Sequence, residues 1–296
     1  MEALMIHIGE RIRDLRQKRG MTQKALAGTH MTRNMLSLIE NGQAAPSLST
    51  VLYLAEQLDA PAGYFFAVTE EDERQFYKMM VIPEIKQLYR NGCFAECEQR
   101  IQEMPSGCMD DEIAFIAAQC YFGTAMQYAS EYALKSADSH FSKAEEATQN
   151  TIYAGEDFKS AVSYYQGLIS LLLSASDLTD EITGIGNASA LVPADMLQYF
   201  AELQVYAGNQ HSLSVREWDS GSYYSRHIHG LYLISSAQYK QAVEILRDLL
   251  EDGGLPFYMR YRICSDLENA ANADGDFRAA YNAARRKLEL MECAKK

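Results

Sequence analysis

Apolar residues recur every three or four positions along most of the chain, which is the spacing of amphipathic α-helices. No segment alternates apolar and polar residues for long enough to indicate a β-strand. Residues 175–192 fit the helical spacing poorly and indicate a loop or a distorted helix pair. A first long helix is expected over about 70–80. Short breaks containing Gly, Asn or Pro then predict helices over 84–90, 94–104, 111–133, 135–148, 157–174, 193–207, 212–219, 222–236, 239–251, 257–273 and 277–293. The predicted fold class is therefore all-α.

The N-terminal sixty residues show a tighter version of this pattern. An apolar stripe of Ile8, Ile12 and Leu15 ends in a basic turn and a glycine. Residues 22–42 then read as a short helix, a tight turn and a second short helix, with Leu26, Leu36 and Ile39 as apolar anchors. Thr32 is a good N-cap for the second helix, and Asn41-Gly42 provides a left-handed stop. This order is that of a helix-turn-helix, whose second helix enters the major groove of DNA.

The outward face of the second helix carries side chains suited to reading base edges. With Leu36 and Ile39 inward, this face presents Thr32, Arg33, Asn34 and Ser37. Arg can bind guanine and Asn can bind adenine through two hydrogen bonds each. On an arbitrary short helix such a pair is ordinarily a solvated face, so the flanking segments decide the interpretation.

Those flanks agree with a DNA-binding unit. A further amphipathic helix is predicted through Leu48, Val51, Leu52, Ala55 and Leu58, so residues 6–66 read as five helices. This stretch, about a fifth of the chain, resembles the DNA-binding domain of phage repressors and Xre-type bacterial regulators. The resemblance rests on Thr22-Gln23, Leu26-Ala27, Thr32-Arg33-Asn34, Ile39-Glu40-Asn41-Gly42, Pro46-Ser47-Leu48 and Tyr64-Phe65-Phe66.

The resemblance also implies DNA contacts. Gln23 would contact a phosphate or base, Arg33, Asn34 and Ser37 would face base edges or phosphates, and Gln43 and Ser47 would lie near the DNA backbone. The turn after Ala27 is one residue shorter than the usual pattern, with His30 where glycine is common. The sequence therefore locates the start of the second helix only to within one residue.

The distribution of charge separates this segment from the rest of the chain. Residues 1–55 contain seven Lys and Arg against four Asp and Glu, a net charge of +3. The remaining residues contain 20 against 36, or −16, which accounts for the total of −13. The basic segment suits phosphate binding, and the acidic remainder would repel DNA. A charge of only +3 implies that one such N-terminal segment, called the head below, binds DNA weakly. We therefore expect a homodimer that places two heads on one double-stranded DNA.

A degenerate repeat follows. Ala237-Gln238-Tyr239-Lys240-Gln241-Ala242 matches Gly275-Asp276-Phe277-Arg278-Ala279-Ala280, each with an aromatic residue three positions before an alanine. The spacing of 38 is near the tetratricopeptide period. Asn91–Cys97 has the same form, and Ser139–Ala144 is a looser copy. Gly230 falls where such repeats need a small residue for close helix packing. Residues 83–293 thus resemble a tetratricopeptide array of about five helix pairs, with an irregular helical bundle as the alternative.

A repressor-type head joined to a tetratricopeptide-like body resembles the peptide-pheromone (quorum-sensing) regulators of Gram-positive bacteria. The resemblance implies a body that binds a short peptide on its concave face and forms the dimer. The inward positions of the last two helix pairs would then bind the ligand; they include Tyr224, His227, Arg262, Asn269 and Asn272. Each could equally belong to a solvated helix face. The expected division is 1–66 for DNA binding, 67–82 for a linker helix and 83–296 for ligand binding and dimerisation.

Other functional classes find little support. The sequence has no P-loop, GxSxG, HExxH or dinucleotide-binding glycine motif, so we expect neither an enzyme nor a cofactor. None of the six cysteines forms a CxxC, and His227 and His229 lie two apart on different helix faces, so no metal is expected. With no membrane-spanning run and no signal peptide, the expected location is the cytoplasm. The alternative function is a DNA-bound interaction module, or an antitoxin-like repressor, that recruits a partner protein.

Overall fold

The computed structural model describes residues 2–67, 69–105, 107–174, 191–208 and 218–296, and the side chains from residue 7 onward. Every regular element in these ranges is helical, as predicted. The N-terminal helices are α1 (Glu2–Lys18), α2 (Gln23–Ala27), α3 (Arg33–Glu40), α4 (Leu48–Gln57), a 3-10 helix (Ala62–Phe66), α5 (Glu70–Arg90) and α6 (Phe94–Gln102). They are followed by α7 (Asp111–Ser130), α8 (Leu134–Gln149), α9 (Glu156–Ser174), α10 (Ala194–Gly208), α11 (Tyr223–Ser235), α12 (Tyr239–Leu250), α13 (Phe257–Asp274) and α14 (Phe277–Ala294).

The chain divides into two compact units, Met1–Ile113 and Ala114–Lys296. The division at residues 66 and 82 stays a prediction. None of the described helices combines the length and the apolar character that a bilayer crossing requires. The predicted helix over 212–219, the poorly fitting stretch 175–192 and His211 lie wholly or mostly outside the described residues.

The first unit has a core at the junction of α1 to α4 and the 3-10 helix. Ile12, Leu26 and Leu36 are fully buried in it, as the apolar pattern predicts. The prediction for α4 was wrong at two positions, because Leu48 and Leu52 are 67% and 52% exposed. The buried face of α4 instead consists of Val51, Leu54, Ala55 and Leu58. These residues follow the i, i+3, i+4 and i+7 spacing of one helix face.

Helix α5 is longer than the sequence predicts. The sequence predicts a helix that ends near Met80 and a new one that opens at Pro83, but α5 continues through Pro83. A proline inside a helix removes one backbone hydrogen bond. Val81 and Ile85, four residues apart on one face, are both buried, while Pro83 is exposed. Burial on both sides of the proline is therefore consistent with one continuous helix.

The helix pairs share one turn geometry. The turns before α6, α8, α12 and α14 each contain a residue with positive φ, and these are Gly92 (74°), Tyr132 (63°), Ala237 (55°) and Gly275 (82°). The next residue has φ between −92° and −82° and ψ between 56° and 74° in all four turns. The same local geometry therefore recurs at four points, which favours a structural repeat over an irregular bundle.

The small residues of the predicted repeat lie inside the protein. Cys97, Ala242 and Ala280 are at most 5% exposed. A Cβ on Gly230 would lie 2.7 Å from Leu246 Cδ2, so the close packing predicted at this glycine is confirmed.

One register in the repeat was wrong. Measured from its turn, the repeat position in α8 is Ala137, not Ala144, and the helix-opening residue is Leu134, not Phe141. Seven residues make almost two helical turns, so both sets face the same way, and all four side chains are fully buried.

Candidate nucleic-acid interface and candidate ligand site

Two threonine caps fix the ends of the helix-turn-helix segment. Thr22 Oγ1 accepts a hydrogen bond from Ala25 N at 3.1 Å and caps α2. Thr32 Oγ1 accepts one from Met35 N at 3.1 Å, so the predicted N-cap of α3 is confirmed and α3 begins at Arg33. The expected stop is also confirmed, because Gly42 has a φ of 68°.

Helix α3 is held against α1 at very short range. Leu36 and Ile39 are buried, and a Cβ on Gly9 of α1 would overlap the carbonyl oxygen of Ile39 and lie 3.1 Å from Glu40 C. Only glycine fits this approach of two backbones. The packing therefore fixes which face of α3 points outward.

The predicted base-reading residues lie on that outward face. Thr32, Arg33 and Asn34 are exposed and Ser37 is half-buried. In the described part of the chain Arg33 has no ion pair, and its Nε donates to Gln23 Oε1 at 3.4 Å. The guanidinium is therefore available to an external acceptor.

A buried carboxylate that the sequence did not reveal organises this surface from behind. The Glu40 side chain is fully buried; it accepts hydrogen bonds from Arg16 Nε at 2.6 Å and Nη2 at 3.0 Å, and from Gln23 Nε2 at 2.8 Å. The hydrogen bond with Glu40 raises the pKa of Arg16. Glu40 thus connects α1, α2 and α3 and holds Gln23 next to Arg33. Nothing local in the sequence indicates this pairing, because 24 residues separate Arg16 from Glu40.

The turn between α2 and α3 has its own support. The His30 and Tyr53 rings stack with centroids 4.3 Å apart, and Tyr53 OH donates to Ala27 O at 3.2 Å. An aromatic stack thus occupies the position where glycine is common. Sequence reasoning also missed Met35 and Leu38, which are 42% and 43% exposed on α3.

The remaining predicted DNA contacts flank α3 on its C-terminal side. Gln43 is exposed directly after the Gly42 stop, and Ser47 is exposed at the N-cap of α4. The Ser47 hydroxyl accepts a hydrogen bond from Thr50 N at 3.1 Å. It also lies 2.8 Å from Ser49 Oγ and 2.9 Å from Thr50 Oγ1. These hydroxyls stand at a helix N-terminus, which favours anions.

In the second unit, three of the five predicted ligand residues join one internal network. His227 is fully buried, with Nδ1 2.7 Å from Tyr199 OH and Nε2 3.0 Å from Asp266 Oδ2. Arg262 Nε donates to the same Asp266 oxygen at 3.0 Å. Tyr224 approaches from α11, with its ring centroid 5.1 Å from that of Tyr199.

The network has defined electrostatics. Burial by itself would raise the pKa of Asp266, but the hydrogen bond from His227 and the charge of Arg262 outweigh it, so the pKa is lowered. Because a carboxylate only accepts, His227 Nε2 carries the hydrogen of that contact. Burial raises the pKa of Tyr224 to about 12, and its hydroxyl lies 2.5 Å from Tyr258 OH. A ligand could reach His227 only by moving its neighbours.

The other two predicted ligand residues lie apart from this network. Asn269 and Asn272 are exposed on α13 beyond Asp266. A groove of about 290 Å³ runs beside α10 and α11, with Tyr199 and Tyr224 in its wall. Sequence reasoning missed the polar residues of that groove, among them Gln198, Ser222 and Ser225.

Comparison with known proteins shows the family of one part of the first unit. Residues 12–65 match the helix-turn-helix family. The N-terminal part of the chain is a helix-turn-helix domain. The match covers the Glu40 network and every predicted DNA-contact residue.

Full-length comparisons give distant likenesses. No curated relative matches the chain in sequence. Bacillus thuringiensis PlcR, solved with the peptide PapR7 and DNA, is 15% identical over 97% of this chain and 96% of its own, with a TM-score of 0.23. ComR from S. thermophilus, solved with DNA and its signalling peptide ComS, is 14% identical over 96% and 99%, with a TM-score of 0.24. The Streptococcus dysgalactiae SHP pheromone receptor Rgg2 is 13% identical over 95% and 99%, with a TM-score of 0.20.

Within the first unit, some basic residues form internal ion pairs and others do not. Arg11 is buried and pairs with Glu73, and Arg16 pairs with Glu40. In contrast, Lys18, Lys24 and Arg33 are exposed without an ion pair among the described residues. The positive charge available to phosphates therefore comes from α1's last turn, α2 and α3.

Proposed function

We propose that the chain is a sequence-specific DNA-binding transcriptional regulator, with α3 in the major groove. The supporting observation is the exposed Arg33, which has no carboxylate partner in the described part of the chain. Arg33 and Asn34 would read base edges, since Arg suits guanine and Asn suits adenine. Ser37, half-buried on the same helix, would contact a base or a phosphate at the groove edge.

The neighbouring polar residues would position the domain on the DNA backbone. Thr32 and Gln23 stand at the first turns of α3 and α2, and Gln43 and Ser47 flank the other end of α3. Backbone contacts fix register but carry no sequence information. Gln23 is held by the buried Glu40, so it would present a fixed side chain.

The first experiment is selection of genomic DNA fragments by the purified protein at two salt concentrations. We expect a palindromic site to be enriched, and Arg33→Ala to weaken binding by about 1–3 kcal/mol while relaxing one base position. The control is Lys240→Ala, which removes one exposed positive charge from α12. Selection of the same fragments by Arg33→Ala and the parent would contradict base reading. A loss equal for all sequences would make Arg33 a phosphate contact.

We propose further that the body binds a ligand, a short peptide, and that the protein acts as a homodimer. Asn269 and Asn272 are exposed one turn apart on α13, and amide side chains can both donate to and accept from an extended backbone. Arg262 and Tyr224, both half-buried, would meet the ligand at the edge of the network. A ligand carboxylate would compete with Asp266 for Arg262.

Asn269→Ala tests this proposal. We expect it to abolish peptide-dependent change in DNA affinity and to leave peptide-free DNA binding intact. Asn150→Ala, an exposed asparagine at the end of α8, is the control. An unchanged response in Asn269→Ala would remove this residue from the site. If no peptide pool changes DNA affinity but a protein partner does, the body recruits a protein instead.

A further inference from the structure

The last helix, α14, carries a row of exposed apolar side chains. Phe277, Tyr281 and Leu288 are 73%, 66% and 61% exposed, and Met291 is 41% exposed. With the half-buried Ala284 these residues form what we call the α14 stripe. Large exposed apolar patches mark interaction sites on proteins.

The spacing of the stripe is that of a helix-pairing seam. Its members are Phe277, Tyr281, Ala284, Leu288 and Met291, separated by four, three, four and three residues. This alternation places apolar side chains at the a and d positions of a heptad, which pack against a partner helix. A neighbouring face of α14 is already used, because Ala280 and Ala283 are buried in the core.

The preceding helix pair indicates what the stripe lacks. In the 38-residue repeat, Val243, Leu246 and Leu250 of α12 correspond to Tyr281, Ala284 and Leu288 of α14. The α12 residues are at most 6% exposed in a core to which α11 and α13 contribute. The same face is therefore covered within the array and uncovered on α14.

We propose that the α14 stripe binds the α14 stripe of a second copy of this chain, with the two helices antiparallel. This inference rests on the homodimer proposed above and names its surface. Packing one stripe on another removes the apolar side chains of both from water, as the next repeat does for α12.

Charge complementarity selects the antiparallel arrangement. Arg278 lies beside the N-terminal end of the stripe and Glu292 beside its C-terminal end, while Arg285 and Glu289, nearer the middle, pair with each other at 3.0 Å. Antiparallel helices bring the basic end of each copy to the acidic end of the other, whereas parallel helices bring like charges together. Arg278 and Glu292 are exposed without ion-pair partners among the described residues. They lie about 21 Å apart along the helix.

The test is the mass of the full-length protein in solution, measured by light scattering across a concentration series. We expect a dimer for the parent and a dissociation constant raised at least about 100-fold by Leu288→Glu, because both copies lose a buried leucine that contributes about 1.5–3 kcal/mol. Ile152→Glu is the matched control, because Ile152 is 81% exposed in the same unit and outside α14. Urea unfolding followed by Trp218 fluorescence checks that both variants fold.

Charge reversal tests the orientation. Arg278→Glu with Arg285→Glu makes all four of these positions acidic, and Glu289→Arg with Glu292→Arg makes all four basic. We expect each double variant alone to dissociate and an equal mixture of the two to form a heterodimer. Separate folding defects would not be repaired by mixing.

The contrary outcomes are distinct from failure of the proposed function. A parent dimer that Leu288→Glu leaves unchanged would overturn the α14 contact and keep the homodimer. A monomeric parent would overturn both, and the stripe would then bind another protein or a further helix of a longer chain. Recognition of a single half-site through Arg33 is measured separately and depends on neither result.

Discussion

Two buried carboxylates, Glu40 and Asp266, hold side chains that the sequence assigns to binding. Glu40 holds Gln23 beside Arg33, and Asp266 holds His227 and Arg262 inside the second unit. Burying a charge is costly unless it is paired and hydrogen-bonded, so each carboxylate requires such neighbours. The residue types on the faces that the sequence assigns to binding were predictable from helical spacing. The long-range pairs were not, because 24 residues separate Arg16 from Glu40 and 39 residues separate His227 from Asp266.

The Asp266 network should make the second unit acid-sensitive. The pKa of Asp266 is lowered in the folded protein, since the contacts with His227 and Arg262 outweigh the effect of burial. A lowered pKa stabilises the fold above the unfolded value of about 4 and loses that contribution as the pH falls through the folded value. We therefore expect the urea midpoint of Trp218 fluorescence to decrease below about pH 4.

Asp266→Asn should remove this part of the acid dependence and lower the free energy of unfolding at neutral pH by about 3–5 kcal/mol, because it removes the buried charge that both His227 and Arg262 contact. The comparison variant is Asp274→Asn, an exposed carboxylate near the end of the same helix. If Asp266→Asn and the parent lose stability in parallel between pH 5 and 3 (about the range that brackets a carboxylate pKa), the network is not the acid-sensitive group.

At the scale of helices, the sequence predicted well which segments are helical and predicted less well how the helices end and pack. Long periodic segments such as α9 and α13 were placed within one residue, because burial of one face determines them. Pro83 misled the prediction because a proline usually ends a helix, yet Val81 and Ile85 are buried on either side of it. The repeat register in α8 was wrong by seven residues because such a shift almost restores the helix face.

Gly9 offers a test at this scale. Gly9→Ala should separate α1 from α3, because the added Cβ would overlap the Ile39 carbonyl, which belongs to the helix backbone and cannot rotate away. We expect a loss of at least about 1–3 kcal/mol in the first unit, seen as faster amide hydrogen exchange in α1 and α3 and weaker DNA binding. Gly155→Ala, where a Cβ meets nothing within 4 Å, is the control. Unchanged protection in α3 would show that the close approach is not required.

Across the whole molecule, the uneven charge gives the chain two kinds of surface, a basic one in the first 55 residues and an acidic one in the helical repeat. The first 55 residues carry +3 and the rest −16, so DNA attraction is confined to a small part of the chain. Sequence analysis predicted this division and the dimer that it calls for. It did not predict the α14 stripe, because exposure of an apolar helix face depends on which neighbours the fold supplies.

The α14 contact and the DNA-binding face should be coupled through the number of heads on one duplex. Two linked heads gain affinity because the second binds as an intramolecular event. We expect Leu288→Glu to reduce affinity for a fragment with two half-sites and to leave affinity for a single half-site unchanged. The slope of log affinity against log salt concentration should also fall to about half, because half as many phosphates are contacted. Ile152→Glu should behave as the parent on both fragments. Equal affinities of Leu288→Glu and the parent for the two-site fragment would mean that the heads are joined through another surface, or that each head binds alone.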